Sequence, residues 1–272
     1  MTGTVYRKIL LPVATPPEVE PMIRFAAMLL DTDGEIRVLH LIPASTLPEV
    51  TREWRASVNL VVPAHETGAA LDVRVEPEVR SATDVPTEIL ESAEAHEAEA
   101  ILLTLRGDRR SRNPLVGHTA TGILQHAQTD VLVVNRLALT SEKFPRILVT
   151  TFRPEAPRRA AQLAETISVR NGGIPVVLLS LGPRGPGEGV GVEEERSERG
   201  IPFTRKRSIF SEALLGRRRR FPELILQAAA KERFGLLVVG EEDDGAGGPL
   251  LTRRFLEELF RAAPCPVIAL RS

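Results

Sequence analysis

Short apolar runs alternate with amphipathic stretches along the whole chain. The first run, residues 8–13, is long enough for a buried strand and too short for a helix. Apolar residues then recur every three or four positions from Val19 to Leu30, which predicts an amphipathic helix. Further strands are predicted at 36–42, 71–75, 100–104 and 130–134, and helices near Trp54 and at 83–95 and 117–127. This alternation indicates an α/β fold, in which helices cover both faces of a mostly parallel sheet.

The second half of the chain repeats the pattern of the first. Four apolar elements align with earlier counterparts at offsets of 136–138 residues: 146–149 with 8–11, 225–226 with 89–90, 236–239 with 101–104 and 265–270 with 129–134. So small a variation in offset over four elements indicates a tandem duplication. We predict a first domain at 1–137, a linker at 138–145 and a second domain at 146–272.

The second copy differs from the first at its centre. Residues 182–191 are rich in Gly and Pro, and residues 193–199 are mostly charged. We expect the long helix predicted near Trp54 to be shortened or loosened in this copy. The Gly-rich stretch lacks the Gly-Lys-[Ser/Thr] of a phosphate-binding loop and its prolines remove donors, so it is interpreted as a flexible connection.

Composition and charge exclude several classes of protein. Of the 272 residues, 43% are apolar and 26% charged, which rules out a wholly disordered, collagen-like or coiled-coil chain. The net charge of -1 argues against a surface built for nucleic acid. The single cysteine, Cys265, and five dispersed histidines predict neither a disulfide nor a metal site. Without a signal peptide or an apolar run of about 20 residues, we expect a soluble, cytoplasmic protein.

Short motifs mark the start and the end of the repeats. Lys-Ile-Leu-x-Pro-Val occupies residues 8–13, and Gly107 and Gly117 follow the fourth predicted strand as spaced glycines. The two copies end in Val-Leu-Val-Val at 131–134 and Val-Ile-Ala-Leu at 267–270. In this combination the chain resembles the universal stress protein family in its tandem, two-domain form.

The resemblance implies the fold in more detail. Each half is expected to be a doubly wound, open parallel sheet of five strands in the order 3-2-1-4-5, Rossmann-like in type, with the halves related by a pseudo-twofold axis. Last strands commonly pair across a dimer in this family. Residues 131–134 and 267–270 are therefore expected to pair within this chain, and the family implies a role in stress response.

The resemblance also implies a nucleotide site. In ATP-binding members, an Asp after strand 1 holds the adenine, while a Gly-rich loop after strand 4 and the next helix N-terminus hold the phosphates. Carried over to this chain, the residues expected to contact an adenine nucleotide are Val13, Ala14, Gly107, Gly117, His118 and Thr119.

The first copy keeps only part of this site. Ala14 stands at the Asp position, Thr104 replaces the first loop glycine, and His118 stands at the Ser/Thr position. Each lost ligand hydrogen bond costs about 1–3 kcal/mol, so we expect weakened binding of ATP or another adenine nucleotide. The basic loop partly offsets this loss, with Arg106 and Arg109 as candidate anion contacts.

The second copy departs further from the family pattern. Phe152 stands at the Asp position, Gly240 at the first loop glycine and Asp243 at the second. Arg253 and Arg254 replace the Gly-[Ser/Thr] pair. They are candidate anion contacts, but ion pairs with the acidic residues at 241–244 are the favoured interpretation, and we expect this copy to be degenerate.

Three functions stay open at this point. The leading one is a non-catalytic module that binds a small ligand or a partner, with a homodimer among the expected assemblies. The second is a cytosolic regulatory domain of a membrane transporter. The third is a slow ATP phosphohydrolase, for which Asp108 and His118 are the available general bases.

Overall fold

The computed structural model describes residues 6–43, 50–105, 117–135, 144–151, 158–180, 192–196, 201–207, 221–241 and 251–272. Within these ranges the chain divides into two compact units. The first unit comprises residues 6–104 and 117–132, and the second comprises Leu105 with residues 133–272. Most of the expected linker at 138–145 lies outside the described residues, so the domain limits given above stay predictions.

The first unit is a parallel sheet with helices packed on it. Its strands are β1 (Tyr6–Pro12), β2 (Leu30–Pro43), β3 (Arg74–Ala82), β4 (Ala100–Thr104) and the first three residues of β5 (Asp130–Val134), in the spatial order β3-β2-β1-β4-β5. Its helices are α1 (Val19–Ala27), after a short 3₁₀ turn at Pro16–Glu18, α2 (Val50–Leu71), α3 (Val85–Ala95) and α4 (His118–His126). The α/β class and the strand order are confirmed.

The start of β2 differs from the sequence-based expectation. Leu30 belongs to this strand and not to the preceding helix, because it pairs with Tyr6 at the beginning of β1. The ladder then shifts in register before Lys8 pairs with Glu35. Gly34 lies in this irregular stretch, where a Cβ would come within 2.6 Å of the Leu30 side chain. The strand therefore begins six residues earlier than the apolar run at 36–42 suggests.

The third strand is displaced along the sequence. The run at 71–75 predicts a strand, but Leu71 is the last residue of α2 and β3 begins at Arg74. Asp72 ends the helix in the left-handed region, with φ of 55°. The apolar residues Leu71 and Val73 thus lie in the helix end and the turn, and Val75 alone of this run is buried in the sheet.

The second unit contains β6 (Ile147–Thr151), β7 (Val176–Ser180), β8 (Val192–Arg196), β9 (Pro202–Arg207), β10 (Leu236–Glu241) and β11 (Val267–Arg271). Its helices are α5 (Arg158–Arg170), α6 (Phe221–Lys231) and α7 (Arg253–Ala262). The spatial order β11-β10-β6-β7-β9 repeats the order of the first unit, and β8 is added beyond β9 at the sheet edge.

Strand β8 occupies part of the region where a shortened or loosened helix was expected. That expectation is wrong for residues 192–196, which pair antiparallel with β9. The register places Glu193 opposite Arg205 and Val192 opposite Lys206.

In both units a backbone hydrogen bond joins the start of the first strand (β1 or β6) to the turn that precedes the neighbouring strand (β4 or β10). The Glu99 N–H donates to the Lys8 carbonyl at 2.9 Å, and the Gly235 N–H donates to the Arg146 carbonyl at 3.0 Å. Each turn has one residue in the left-handed region, at φ of 51° and 53°. These two residues are Glu97 and Arg233. Equivalent bonds at an offset of 136–138 residues follow the repeat seen in the sequence.

One contact within the second unit involves the residue after β5. The Asn135 N–H donates to the Val267 carbonyl at 3.3 Å, and Asn135 Oδ1 accepts the Val267 N–H at 3.1 Å.

Among the helices of the described ranges, none is both long enough and apolar enough to cross a membrane.

Candidate functional site

The topology of the first unit places its candidate site at the carboxyl ends of β1 and β4. These strands are neighbours, with Leu10 in register with Ile101. The chain moves from β1 outward to β2 and β3, and from β4 in the opposite direction to β5. Right-handed crossovers therefore leave on opposite faces, with α1 against α2 and α3 against α4. Such a switch point is where open α/β sheets bind ligands.

We call this region the switch-point site; it consists of Val13, Ala14 and Thr104 at the strand ends and of residues 117–119 at the start of α4.

At the β1 end, the backbone of Val13 is held on both sides by β2. Its N–H donates to the Leu39 carbonyl at 2.8 Å, and its carbonyl accepts from His40 Nδ1 at 2.9 Å. The Val13 side chain is buried, whereas Ala14 is exposed. The backbone of Val13 is thus held in place at the border of the site, and Ala14 is the exposed residue here that a ligand can contact.

His40 is a residue that sequence reasoning missed at this site. A carbonyl oxygen only accepts, so the bond to Val13 requires the proton on Nδ1, and in neutral His40 the Nε2 atom is then an acceptor. In the sequence His40 is one of five dispersed histidines. Its position in the strand alternation gave no sign that it would reach the end of β1, 27 residues earlier.

At the α4 end, the helix begins without a capping side chain. Gly117 is the N-cap, with ordinary backbone angles (φ -75°, ψ 177°), and no described atom lies within 4 Å of the position that a Cβ would take. His118 is exposed and Thr119 is half-buried. Backbone N–H groups of the first turn of a helix have no intrahelical acceptor and carry partial positive charge. This end of the site can therefore accept an anion.

Asp84 is a second residue that sequence reasoning missed here. It caps α3 by accepting from the Thr87 N–H at 3.3 Å and from the Thr87 hydroxyl at 2.5 Å. Pro86, in the first turn of α3, packs against Gly122 of α4 at 3.1 Å from a Cβ built there. The Thr87 hydroxyl holds the pKa of Asp84 below its usual range, and the positive form of His118 lowers it further.

The spacing of Asp84 and Thr87 identifies a helix cap in the sequence. Its proximity to His118 depends on how α3 packs against α4, which no local pattern shows.

The β4 end contributes fewer donors than the family pattern. Thr104 is half-buried where that pattern has glycine. The N–H of Leu105, the next residue, donates to the Val134 carbonyl at 3.0 Å and so is not available to a ligand. The predicted site residues Gly107, Arg106 and Arg109 lie outside the described residues, and their roles stay predictions.

The corresponding end of the second unit has its helix cap occupied. Thr252 is the N-cap of α7, and its hydroxyl accepts the Phe255 N–H at 3.3 Å. Exposed Arg253 and Arg254 are the next two residues, so the counterpart of Gly117 is Thr252, one residue earlier than the sequence alignment gives. Arg253 Nε donates to Glu257 Oε1 at 3.0 Å, an ion pair within the helix.

The ion pairs expected between Arg253 or Arg254 and residues 241–244 stay a prediction. Glu241 Oε2 accepts the Leu251 N–H at 3.0 Å, which ties the end of β10 to the segment before α7. Residues 242–244 lie outside the described ranges.

Gly240 has a packing role. A Cβ at this position would lie 2.5 Å from the Ala160 Cβ, so the glycine lets α5 approach β10 closely. The one family-like glycine of the second unit that the structure describes is thus explained by packing.

The comparisons with known proteins agree with this fold. Residues 5–135 match the family model described as the universal stress protein family. Over this part the chain is similar to the universal stress protein family. No curated protein sequence matches the chain significantly.

Solved structures resemble the chain over nearly its full length. A universal stress protein from Archaeoglobus fulgidus DSM 4304 aligns with a TM-score of 0.64 and 16% identity, covering 96% of this chain and 95% of that one. The cytoplasmic domain of a prokaryotic cation chloride cotransporter aligns with a TM-score of 0.57 and 11% identity, covering 97% and 94%. At these identities the likeness shows a shared α/β fold.

Proposed function

We propose that the first unit binds an adenine nucleotide weakly at the switch-point site and catalyses no reaction on it. The observation that carries the proposal is the start of α4, where Gly117 provides no side-chain cap for the N–H groups of the first turn and where no atom of the described residues lies within 4 Å of its Cβ position. The match of residues 5–135 to the universal stress protein family supports the same location. In this proposal Val13 and Ala14 border the base, and Gly117, His118 and Thr119 border the phosphate.

The weakness of binding follows from groups that are missing or already used. The Ala14 side chain has no acceptor for the base, and the backbone N–H and carbonyl of Val13 are both bonded to β2. A lost ligand hydrogen bond lowers affinity roughly 5- to 150-fold. The proposal assigns no catalytic residue: of the two candidate general bases, His118 borders the phosphate and Asp108 lies outside the described residues.

In the second unit we propose packing and interaction in place of nucleotide binding. The hydroxyl of Thr252 fills the cap position of α7, and Ala160 fills the space beside Gly240. We further propose that the chain is a cytoplasmic tandem repeat whose last strands, residues 131–134 and 267–270, pair with each other. The two hydrogen bonds between Asn135 and Val267 support that pairing.

The substitution Gly117→Asp tests the nucleotide site. Aspartate is a preferred N-cap residue, so the variant is expected to fold with a Tm equal to or above that of the parent. Its carboxylate would occupy the N–H groups of the first turn and repel phosphate, so AMP and ATP should no longer raise the Tm or give heat in calorimetry.

The matched control is Thr252→Asp, which places the same carboxylate on α7. It should leave nucleotide binding unchanged. If Gly117→Asp binds AMP as the parent does, or if millimolar AMP and ATP leave the parent's Tm unchanged, the proposed function is wrong.

The second candidate function is that of a regulatory domain of a membrane transporter. It is favoured by the likeness to the cotransporter cytoplasmic domain, which extends over 97% of this chain. If this candidate is correct, the coding sequence also encodes apolar segments of about 20 residues, joined to this chain in the same reading frame. A transcript in which stop codons separate the chain from any such segment would exclude it.

A further inference from the structure

The end of α5 carries an asparagine followed by two glycines. Asn171 is the first residue after the helix, and Gly172 and Gly173 both lie in the left-handed region, with φ of 84° and 78°. The chain has four asparagines, and the other three precede leucine, proline and arginine. Asn171 is therefore the asparagine whose following backbone nitrogen is not shielded by a side chain.

An asparagine in this setting is open to a reaction within the chain. The backbone nitrogen of Gly172 attacks Cγ of Asn171, so that an N–Cγ bond forms and the Cγ–Nδ2 bond breaks. The leaving amide group takes up the proton of the Gly172 N–H and departs as ammonia. Water then opens the cyclic imide at one of its two carbonyls, which gives an aspartate or an isoaspartate. Reactions of this kind place asparagine among the thermolabile residues.

Hydrogen bonds at the helix end oppose this reaction in the folded chain. Asn171 Nδ2 donates to the Ile167 carbonyl at 2.8 Å. The Gly172 N–H donates to the Val169 carbonyl at 3.2 Å. The side-chain amide and the attacking nitrogen are thus each held by a carbonyl of α5, and both bonds must break before the imide can form.

Ser168 ties the residues that follow Asn171 to the helix. Its side chain is buried, and its hydroxyl donates to the Ile174 carbonyl at 2.5 Å. Its carbonyl accepts the Gly173 N–H at 2.8 Å. These two bonds lie on either side of the glycine pair's exit from the helix and keep the turn closed.

The same turn lies at the surface, where it can open without unfolding of the second unit. Val169 and Gly172 are exposed, and Asn171 is half-buried. The last turn of a helix frays more readily than its centre, and such local openings cost less free energy than global unfolding.

We propose that Asn171 is a site of spontaneous deamidation that reacts through local opening of the end of α5. The product loosens the same turn. An aspartate places a negative charge at the negative end of the helix dipole and lacks the donor that bonds the Ile167 carbonyl. An isoaspartate adds a methylene to the backbone before Gly172, which displaces the hydrogen bonds of both glycines.

The test follows the asparagines of the whole chain by peptide mass spectrometry during incubation in mildly alkaline buffer. Asn171 should gain the mass difference between an amide and a carboxyl, while Asn59 and Asn135 should stay amides. In guanidinium chloride the reaction at Asn171 should be about tenfold faster or more, because the unfolded chain lacks the hydrogen bonds of the closed turn.

Two variants open the turn in different ways. Ser168→Ala removes the hydroxyl that bonds the Ile174 carbonyl, and Gly173→Ala strains a backbone with φ of 78°. Each should speed deamidation of Asn171 in the folded chain by about three- to tenfold. The matched control is Tyr6→Phe, which removes a buried hydrogen bond in the first unit and should leave this rate unchanged.

Four results would overturn the proposal. The first is an Asn171 that reacts equally fast in the folded and the unfolded chain, or that reacts in the unfolded chain alone. The second is an unchanged rate in both Ser168→Ala and Gly173→Ala. The third is equal acceleration by Tyr6→Phe, because the reaction would then follow general unfolding. The fourth is deamidation of Asn59 or Asn135 as fast as that of Asn171.

Discussion

At the scale of single residues, buried polar groups show where the fold depends on one partner. Tyr6 and Asp130 lie at the beginnings of β1 and β5 and are only 2% and 6% exposed. The Tyr6 hydroxyl donates to Asp130 Oδ2 at 2.8 Å across 124 residues of sequence. Burial of such groups is tolerated because they bond to each other.

Replacing Tyr6 with phenylalanine should destabilise the protein by about 1–3 kcal/mol, because Asp130 loses a buried donor while the ring still packs. Urea denaturation of Tyr6→Phe measures the effect. In a cycle with Asp130→Asn, the two changes should be strongly non-additive. A loss below about 0.3 kcal/mol in Tyr6→Phe would mean that this bond contributes little.

Cys265 should be chemically inert in the folded protein. Its side chain is buried and burial raises the pKa of the thiol to about 11, so the reactive thiolate is scarce at pH 8. A thiol-specific reagent should label the native chain very slowly and the chain in guanidinium chloride at once. Rapid stoichiometric labelling of the native protein would contradict the buried position.

At the scale of helices and strands, close approach of backbones sets the spacing of the layers. Helix α5 lies against β10 at Gly240 and Ala160, where an added Cβ would meet another Cβ at 2.5 Å. The start of α4 is the opposite case, since an added Cβ at Gly117 would meet no atom of the described residues within 4 Å. Two glycines of similar appearance in the sequence therefore differ in their structural roles.

The substitution Gly240→Ala should destabilise the second unit by about 1–3 kcal/mol through overpacking. Gly117→Ala should cost less, because nothing in the described structure opposes the new methyl group. Adding Ala160→Gly to Gly240→Ala should recover part of the lost stability. Equal losses in the two single variants, measured by chemical denaturation, would show that the contact does not control the spacing.

The cap of α3 should give stability a specific dependence on pH. The pKa of Asp84 is lowered from 3.8 in the folded state, chiefly by the Thr87 hydroxyl. Its contribution is therefore complete above the unfolded pKa and is lost as the pH falls through the lower folded value. Between pH 6 and pH 3 the urea midpoint of the parent should fall more than that of Asp84→Asn. Parallel curves would contradict this role.

The sequence predicted elements better than it predicted the site. Strands β4 and β5 were predicted with their observed limits, because their apolar runs are buried on both faces and end at turn residues. The region at 192–196 was not, since it forms a strand only by pairing with β9, which no local pattern shows. At the site, Gly117 follows from a motif, but His40 and Asp84 reach it only through tertiary packing.

At the scale of the whole molecule, two units of the same strand order differ in what their equivalent ends allow. In the first unit, α4 has no side-chain cap, and no atom of the described residues lies within 4 Å of the Gly117 Cβ position. In the second unit, Thr252 caps α7, and Ala160 of α5 packs against Gly240. Sequence repetition alone does not reveal this division, because both copies keep the apolar runs that build the sheet. The account therefore expects one binding unit and one unit for packing and interaction.

Amide chemical-shift mapping of the isotope-labelled 29.8 kDa chain tests this claim most directly. Titration with AMP should shift the amide signals of Ala14 and of Gly117 to Thr119, and leave those of Thr252 to Arg254 in place. Equal shifts at both helix starts, or shifts confined to α7, would contradict the account.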